Sequence, residues 1–147
     1  MLRLLAWPAA IRIAYEFNWY QQYKLTGHPG SVDYIFQPLA DWFGIPAYEK
    51  PFRLTVASLE IVASVLVLIP LTRVWGALLT IGLMSGAIFF HTIGLIGIDP
   101  YGDGGKLFKE AIFTSVMGVV VLCAHRQDAF AALVRLGLLC AAFARTA

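Results

Sequence analysis

Apolar residues in this chain come in long runs rather than in the alternation of a strand or the single stripe of a soluble helix. Residues 73–97 are the clearest case, roughly 25 residues in which His91 is the only ionisable interior group. A run of that length makes about 37 Å of helix, enough for a tilted crossing of a bilayer. Residues 51–69 form a second run, opened by Pro51 in a first helical turn and closed by Pro70, with Glu60 near its middle. A third covers residues 107–124, with Lys109 and Glu110 in its first turn. Residues 4–24 are diluted by Arg12, Glu16, Asn18, Gln21 and Gln22, yet Tyr15, Trp19, Tyr20 and Tyr23 form an aromatic belt suited to one interface. The pattern predicts an all-α membrane protein: a four-transmembrane-helix bundle over residues 1–124. The opening residues resemble a secretory signal, but Arg12 interrupts the apolar core, so they read as an uncleaved first helix.

The connections add sidedness. Arg3, Arg73 and Arg126 fall on one side with almost no acid, whereas Asp33, Asp41, Glu49, Asp99 and Asp103 fall on the other. The positive-inside rule then puts both termini in the cytoplasm, in the inner cell membrane. Residues 27–50 become an extracytoplasmic connection whose Phe36, Leu39, Trp42, Phe43 and Ile45 make a half-apolar stripe. Such a stripe suits a lid across the mouth of the bundle, or a plain interfacial helix. Residues 129–143 are short for a span and carry Arg135 at their centre. They predict an amphipathic helix on the cytoplasmic face, within a tail of residues 125–147; a fifth span is the competing reading.

Composition agrees with lipid as part of the solvent. The chain is 59% hydrophobic and 14% charged, with a mean hydropathy of +0.73, too little polar surface to cover a soluble globule of this size. A net charge of +2 without a Lys/Arg cluster excludes nucleic acid as a partner. Cys123 and Cys140 stand apart in apolar segments, which suggests neither a redox dithiol nor a thiolate metal site.

Between helices in lipid, close contact relies on small side chains. Gly82 and Gly86 form a GxxxG pair, Ala111 and Ser115 a second small pair, and Ala57, Ala63 and Ser64 surround Glu60. These pairs predict helix contacts, and they turn Glu60, Glu110 and His91 inward.

Each ionisable group near the centre of a span costs about 2.5–3.5 kcal/mol, so such groups are paired or functional. Glu16, Glu60, His91 and Glu110 all fall in the middle to outer half of the membrane, with Arg12 one turn deeper. One reading is a structural polar network in which Arg12 and Glu16 pair at i,i+4 and Glu60 shares the guanidinium. The other is proton chemistry. For His91 the choice lies between a core histidine bonded to Glu60 or a carbonyl, and a proton relay or hydrogen bond to a quinone. No Glu-x-x-His pair of the di-metal kind is present, and no metal is expected. His91 and His125 fall near opposite faces, which disfavours a haem between them. The turn Asp99 to Lys106, with Lys109 beyond it, reads either as a tight turn with Asp103 capping the last helix or as a small-anion site.

Residues 12–122 also resemble a known family. Tyr23-Lys24-Leu25-Thr26-Gly27, then Phe43-Gly44-Ile45-Pro46, Leu59-Glu60, Arg73, Met84, Ala87 and His91, and the turn Gly102-Asp103-Gly104-Gly105 before Leu107-Phe108 are together similar to the DoxX family of small four-helix membrane proteins. Gln21 and Gln22 stand where a glycine is usual before the lysine, and Ala63 and Ser64 where glycines follow the glutamate. The resemblance implies a four-helix fold and, for some relatives, membership of membrane oxidoreductase systems, including a quinone-linked thiosulfate-oxidising complex. Other relatives act as assembly factors or beside thiol enzymes; the missing cysteine pair points away from a thiol relay.

Two functional expectations result. In the first the chain is a quinone-linked oxidoreductase subunit, working with a partner subunit or a second copy of itself. There His91, Glu60 and Glu110 handle protons, while Lys24, Lys106 and Lys109, with Asp103 in the adjoining turn, surround an anionic reductant. In the second it is a noncatalytic scaffold or assembly factor, whose polar set fixes helix register.

Overall fold

The computed structural model describes residues 2–131 and 134, and these contain helices and turns without a strand. Four long helices carry the fold: α1 (Leu2–Thr26), α4 (Glu49–Leu68), α5 (Arg73–Thr92) and α6 (Lys106–Ala124). The short α2 (Pro29–Ser31), a π-helical turn over Val32–Phe36 and α3 (Gln37–Trp42) follow α1 as one bent run, and a 3-10 turn at Pro46–Tyr48 leads into α4. Three helical stretches, Pro46–Leu68, Arg73–Thr92 and Lys106–Ala124, are long and apolar enough to cross a membrane. The polar residues that dilute α1 keep it out of that set. Residues 126–131 are helical; the rest of the expected 129–143 helix, with Arg135 and Cys140, lies outside the described residues, apart from residue 134.

The long helices form a ring. Each of α1 and α5 packs against both α4 and α6. The ring is inside out relative to a soluble bundle. Glu16, Glu60, Arg53, Arg73 and His91 are buried, while Leu59, Val62, Val65, Phe113, Val116 and Val119 are exposed. A band of large apolar side chains facing outward, around an interior that holds charged groups beside an apolar core that includes Ile13, Ala63, Val67 and Ala77, is stable where the surroundings are hydrocarbon, which makes this a membrane protein.

The ends of the helices follow local chemistry. Gly27, at φ +70°, stops α1, and the N–H of His28 donates back to the Tyr23 carbonyl at 3.1 Å, a Schellman closure that only glycine enters without strain. A side chain on Gly27 would also meet the Arg53 guanidinium at 3.3 Å. α5 stops at Thr92, five residues before the expected end at Gly97. Gly94 and Gly97, both at φ +82°, turn the chain back so that residues 93–97 fold over the helix end. α4 starts at Glu49, two residues earlier than Pro51, because proline within a first turn lacks only an N–H that the helix leaves unbonded. Arg73 closes the far end of α4. Its Nε donates to the Val67 carbonyl at 2.9 Å, its guanidinium reaches the Leu68 carbonyl at 3.2 Å, and it lies 4.1 Å from the Trp7 ring centroid. A cation on the last carbonyls of a helix suits the helix dipole.

Small residues do set the helix contacts, but the expected GxxxG pair does not. A Cβ on Gly76 would lie 2.3 Å from the Val67 backbone nitrogen, and one on Gly118 2.8 Å from the Ile81 side chain. Those glycines bring α5 against α4 and α6. Added Cβ atoms on Gly82 and Gly86 would meet nothing within 4 Å. The spacing recurs on a helix face, but the neighbouring helix has already diverged at that level.

Candidate functional site

Where the helices diverge, at the end of the bundle that holds residues 27–48, they enclose a cavity of about 570 Å³. Its walls are mostly apolar. Phe17 of α1, Phe52 and Val56 of α4, and Leu83, Met84 and Phe90 of α5 contribute to them, while Phe36 and Leu39 from the connecting run reach in as well. The polar lining is concentrated on α1 and its neighbours.

Glu60 is the centre of that polar side and is 4% exposed. Its Oε2 accepts from Gln21 Nε2 at 2.9 Å and from Lys24 Nζ. The backbone carbonyl of Lys24 in turn accepts from Arg53, whose Nε donates to Glu49 at 2.7 Å. α1 and α4 are thus joined by one continuous set of charge-assisted hydrogen bonds, and Arg53, which the sequence did not single out, is an integral part of it. Among the described residues Glu60 Oε1 has no partner, and it is not sealed from the cavity.

Arg12 does not share Glu60. Its guanidinium donates to Glu16 at 2.6 Å, the expected i,i+4 pair, and to Glu110 of α6. Helix geometry explains the correction: at 3.6 residues per turn Gln21 and Lys24 stand about 180° and 120° around α1 from Arg12. One face of α1 therefore serves α4 and the other α6. Glu16 and Glu110 line the cavity beside this second network.

His91 is 3% exposed and lines the cavity. Of the two hydrogen-bond partners expected for it, the structure gives the backbone carbonyl: Nδ1 lies 2.5 Å from the Gly97 oxygen. A carbonyl only accepts, so Nδ1 carries the proton and Nε2 presents a lone pair when the ring is neutral. The early end of α5 is what makes this possible, since the folded-back residues 93–97 supply the carbonyl. The ring packs 5.7 Å from that of Phe108, and among the described residues Nε2 has no partner.

The turn before α6 acts as a cap. The Asp103 carboxylate accepts from the Lys106 N–H at 3.0 Å, and Asp99 accepts from the N–H groups of Asp103 and Gly104. Hydrogen bonds from the Gly105 backbone, and from those of Asp103 and Gly104, hold the Asp99 carboxyl below its ordinary pKa. Tyr101 ties this turn to the connecting run by donating to the Gly30 carbonyl at 2.8 Å. Burial of part of the ring first, then the charge of Asp103, pushes its phenol upward.

Of the expected site residues, Glu60, Glu110, His91, Lys24, Glu16, Asp103 and Lys106 line the cavity. Lys24 is engaged by Glu60 rather than open at the mouth, and Arg12 and Lys109 are not in the lining. Tyr20, Tyr23, His28 and Tyr101 join the lining unannounced; the aromatic belt read on α1 was the available signal for the first two. Among the described residues no three His, Cys, Asp or Glu side chains cluster as metal ligands. Comparison of the chain with protein-family profiles, with curated proteins and with solved structures found no match.

Proposed function

We propose that this is a four-span inner-membrane protein of the DoxX kind, both termini cytoplasmic, whose outward cavity binds a quinone for a membrane oxidoreductase system. The observation that carries the reading is the pairing of an apolar cavity with two proton-accepting atoms not engaged by a neighbour, Glu60 Oε1 and His91 Nε2. Apolar walls suit a planar ring, and about 570 Å³ accommodates a ring with part of a side chain. A bound quinone would supply two-electron chemistry that also consumes two protons. The chain's own part is to orient the ring against Phe17, Val56 and Leu83, to exclude water, and to take up and pass on protons at Glu60 and His91. Lys24 and Gln21 fix the Glu60 carboxylate, and the Gly97 carbonyl fixes the His91 tautomer. Electrons come from an external reductant of the anionic class, approaching near the exposed Lys106 at the mouth.

The test is quinol formation by the purified protein, alone and with co-purifying subunits, using a soluble benzoquinone with thiosulfate and other anionic reductants. Turnover that falls at least about tenfold in Glu60→Gln and His91→Gln supports the assignment. No turnover and no ring binding would overturn it.

A second reading, a noncatalytic scaffold or assembly factor, is favoured by the engagement of Arg12, Glu16, Lys24 and Arg53 in links between helices. On that reading His91→Ala spares function, and substitution of the exposed Trp42 abolishes capture of the partner.

A further inference from the structure

We infer that the cavity opens sideways into the bilayer between α4 and α5, and that its ligand is a tailed amphiphile whose apolar chain leaves across Gly82 and Gly86. The contact between α4 and α5 is tight at one level, where Gly76 presses on the backbone of Leu66 and Val67. Gly76, Leu83 and Phe90 recur every seven residues and so face α4 together. Gly82 and Gly86 flank that face on its outer side. Both line the cavity, Gly82 is exposed, and neither would bring a Cβ within 4 Å of another atom; Gly82 stands about 120° around α5 from Gly76, on the side away from Ile81, which meets α6, so it turns toward the outside of the ring. A residue on both the cavity wall and the outer surface marks an opening.

The chemistry around the opening is apolar. Val56 and Phe52 form its α4 side, and Leu83 and Phe90 its α5 side. Lys24 and Glu60 lie away from it, on the α1 side. A ligand in this space has its polar head at Glu60 and its hydrocarbon at the portal, where it stays in contact with lipid instead of water.

The route past the connecting run is closed off beside the portal. Phe43 packs 5.6 Å from Phe52 and 5.7 Å from Phe90, and Trp42 5.3 Å from Phe90. These aromatic contacts roof the α4–α5 crevice, so whatever passes between α4 and α5 does so from the bilayer, apart from the aqueous mouth at Lys106. The inference rests on the quinone reading for the identity of the head, but not for the tail or the portal.

The test uses the whole chain in lipid nanodiscs and two benzoquinones with one ring, carrying a decyl or a methyl substituent, with binding read by tryptophan quenching. In Gly82→Leu/Gly86→Leu the leucines narrow the portal. The helix tolerates them, because both Cβ positions are open and leucine favours helix over glycine; an unchanged melting temperature checks this. The expected result is about a tenfold loss of affinity for the decyl compound with the methyl compound unchanged. Equal affinities before and after, or equal loss for both compounds, overturns the portal and leaves ring binding standing. If neither compound binds the wild-type protein, the quinone reading fails. The portal is then decided by extraction of lipid carried by the purified chain: a tailed amphiphile near one per chain, depleted in the leucine variant, sustains it. None, or equal amounts in both proteins, overturns it.

Discussion

Removing the Glu60 carboxylate in Glu60→Met leaves the Lys24 ammonium in a site where its side chain is 16% exposed, together with an amide nitrogen on Gln21 that has lost its acceptor. Breaking a buried ion pair from one side costs about 3–5 kcal/mol, because the remaining charge stays desolvated. Interhelical hydrogen bonds in membranes are weaker on average, about 0.6–2 kcal/mol, since the unfolded chain also finds partners in lipid. The first effect is larger here, because a full cation is stranded. Glu60→Met is therefore expected to lose about 3 kcal/mol, and Lys24→Met somewhat less, because the Gln21 amide still bonds to Glu60. Lys24→Met/Glu60→Met is expected to recover most of the loss, since the two apolar chains suit the surrounding walls. The assay is unfolding in mixed micelles followed by circular dichroism, analysed as a double-mutant cycle. Additive single losses, with no coupling, would refute the idea that this pair acts as a unit.

The same pair shows what was readable in the residues. The helices, the inward turn of Glu60, Glu110 and His91, the i,i+4 bond from Arg12 to Glu16 and the cap at Asp103 all depend on spacing within one element. The partner of Arg12 in another helix does not. It depends on which side of α1 faces α6, and that is set by packing against the whole ring. Gly82 and Gly86 depart from the expected helix contact for a related reason: small residues at helical spacing permit a close approach, but only a neighbouring backbone at the right level uses it, as Val67 does at Gly76. α5 ends before the apolar run does because Gly94 and Gly97 continue the run in composition but form turns in conformation. The cavity itself had no linear signature, being the space left where four helices separate.

Further outcomes follow from single contacts. Gly76→Leu should fail to assemble, because its side chain would enter the α4 backbone, whereas Gly82→Leu should melt close to wild type; thermal unfolding in detergent distinguishes them. Gly27→Ala should cost about 1 kcal/mol from the left-handed backbone, measurable in the same assay. Asp99 has a lowered folded pKa, so its stabilising effect is present above the ordinary carboxyl range and is lost as pH falls through the folded value. The protection of the Gly104 and Gly105 amides from hydrogen exchange, relative to their intrinsic rates, should therefore fall only under acid conditions below about pH 4, and Asp99→Asn should show that loss of protection at neutral pH.

A four-span bundle with its cavity facing outward requires α1 to cross the membrane, and α1 is the helix whose crossing composition alone leaves undecided. The decisive measurement is accessibility in intact cells, using Gly44→Cys, Leu71→Cys and Gly102→Cys in a background with Cys123 and Cys140 replaced by serine, together with an N-terminal tag. An impermeant maleimide should label positions 44 and 102 from outside, while position 71 and the tag become reactive only after permeabilisation. A tag that reads on the same side as position 44 would show that α1 does not cross, and would contradict the four-span arrangement.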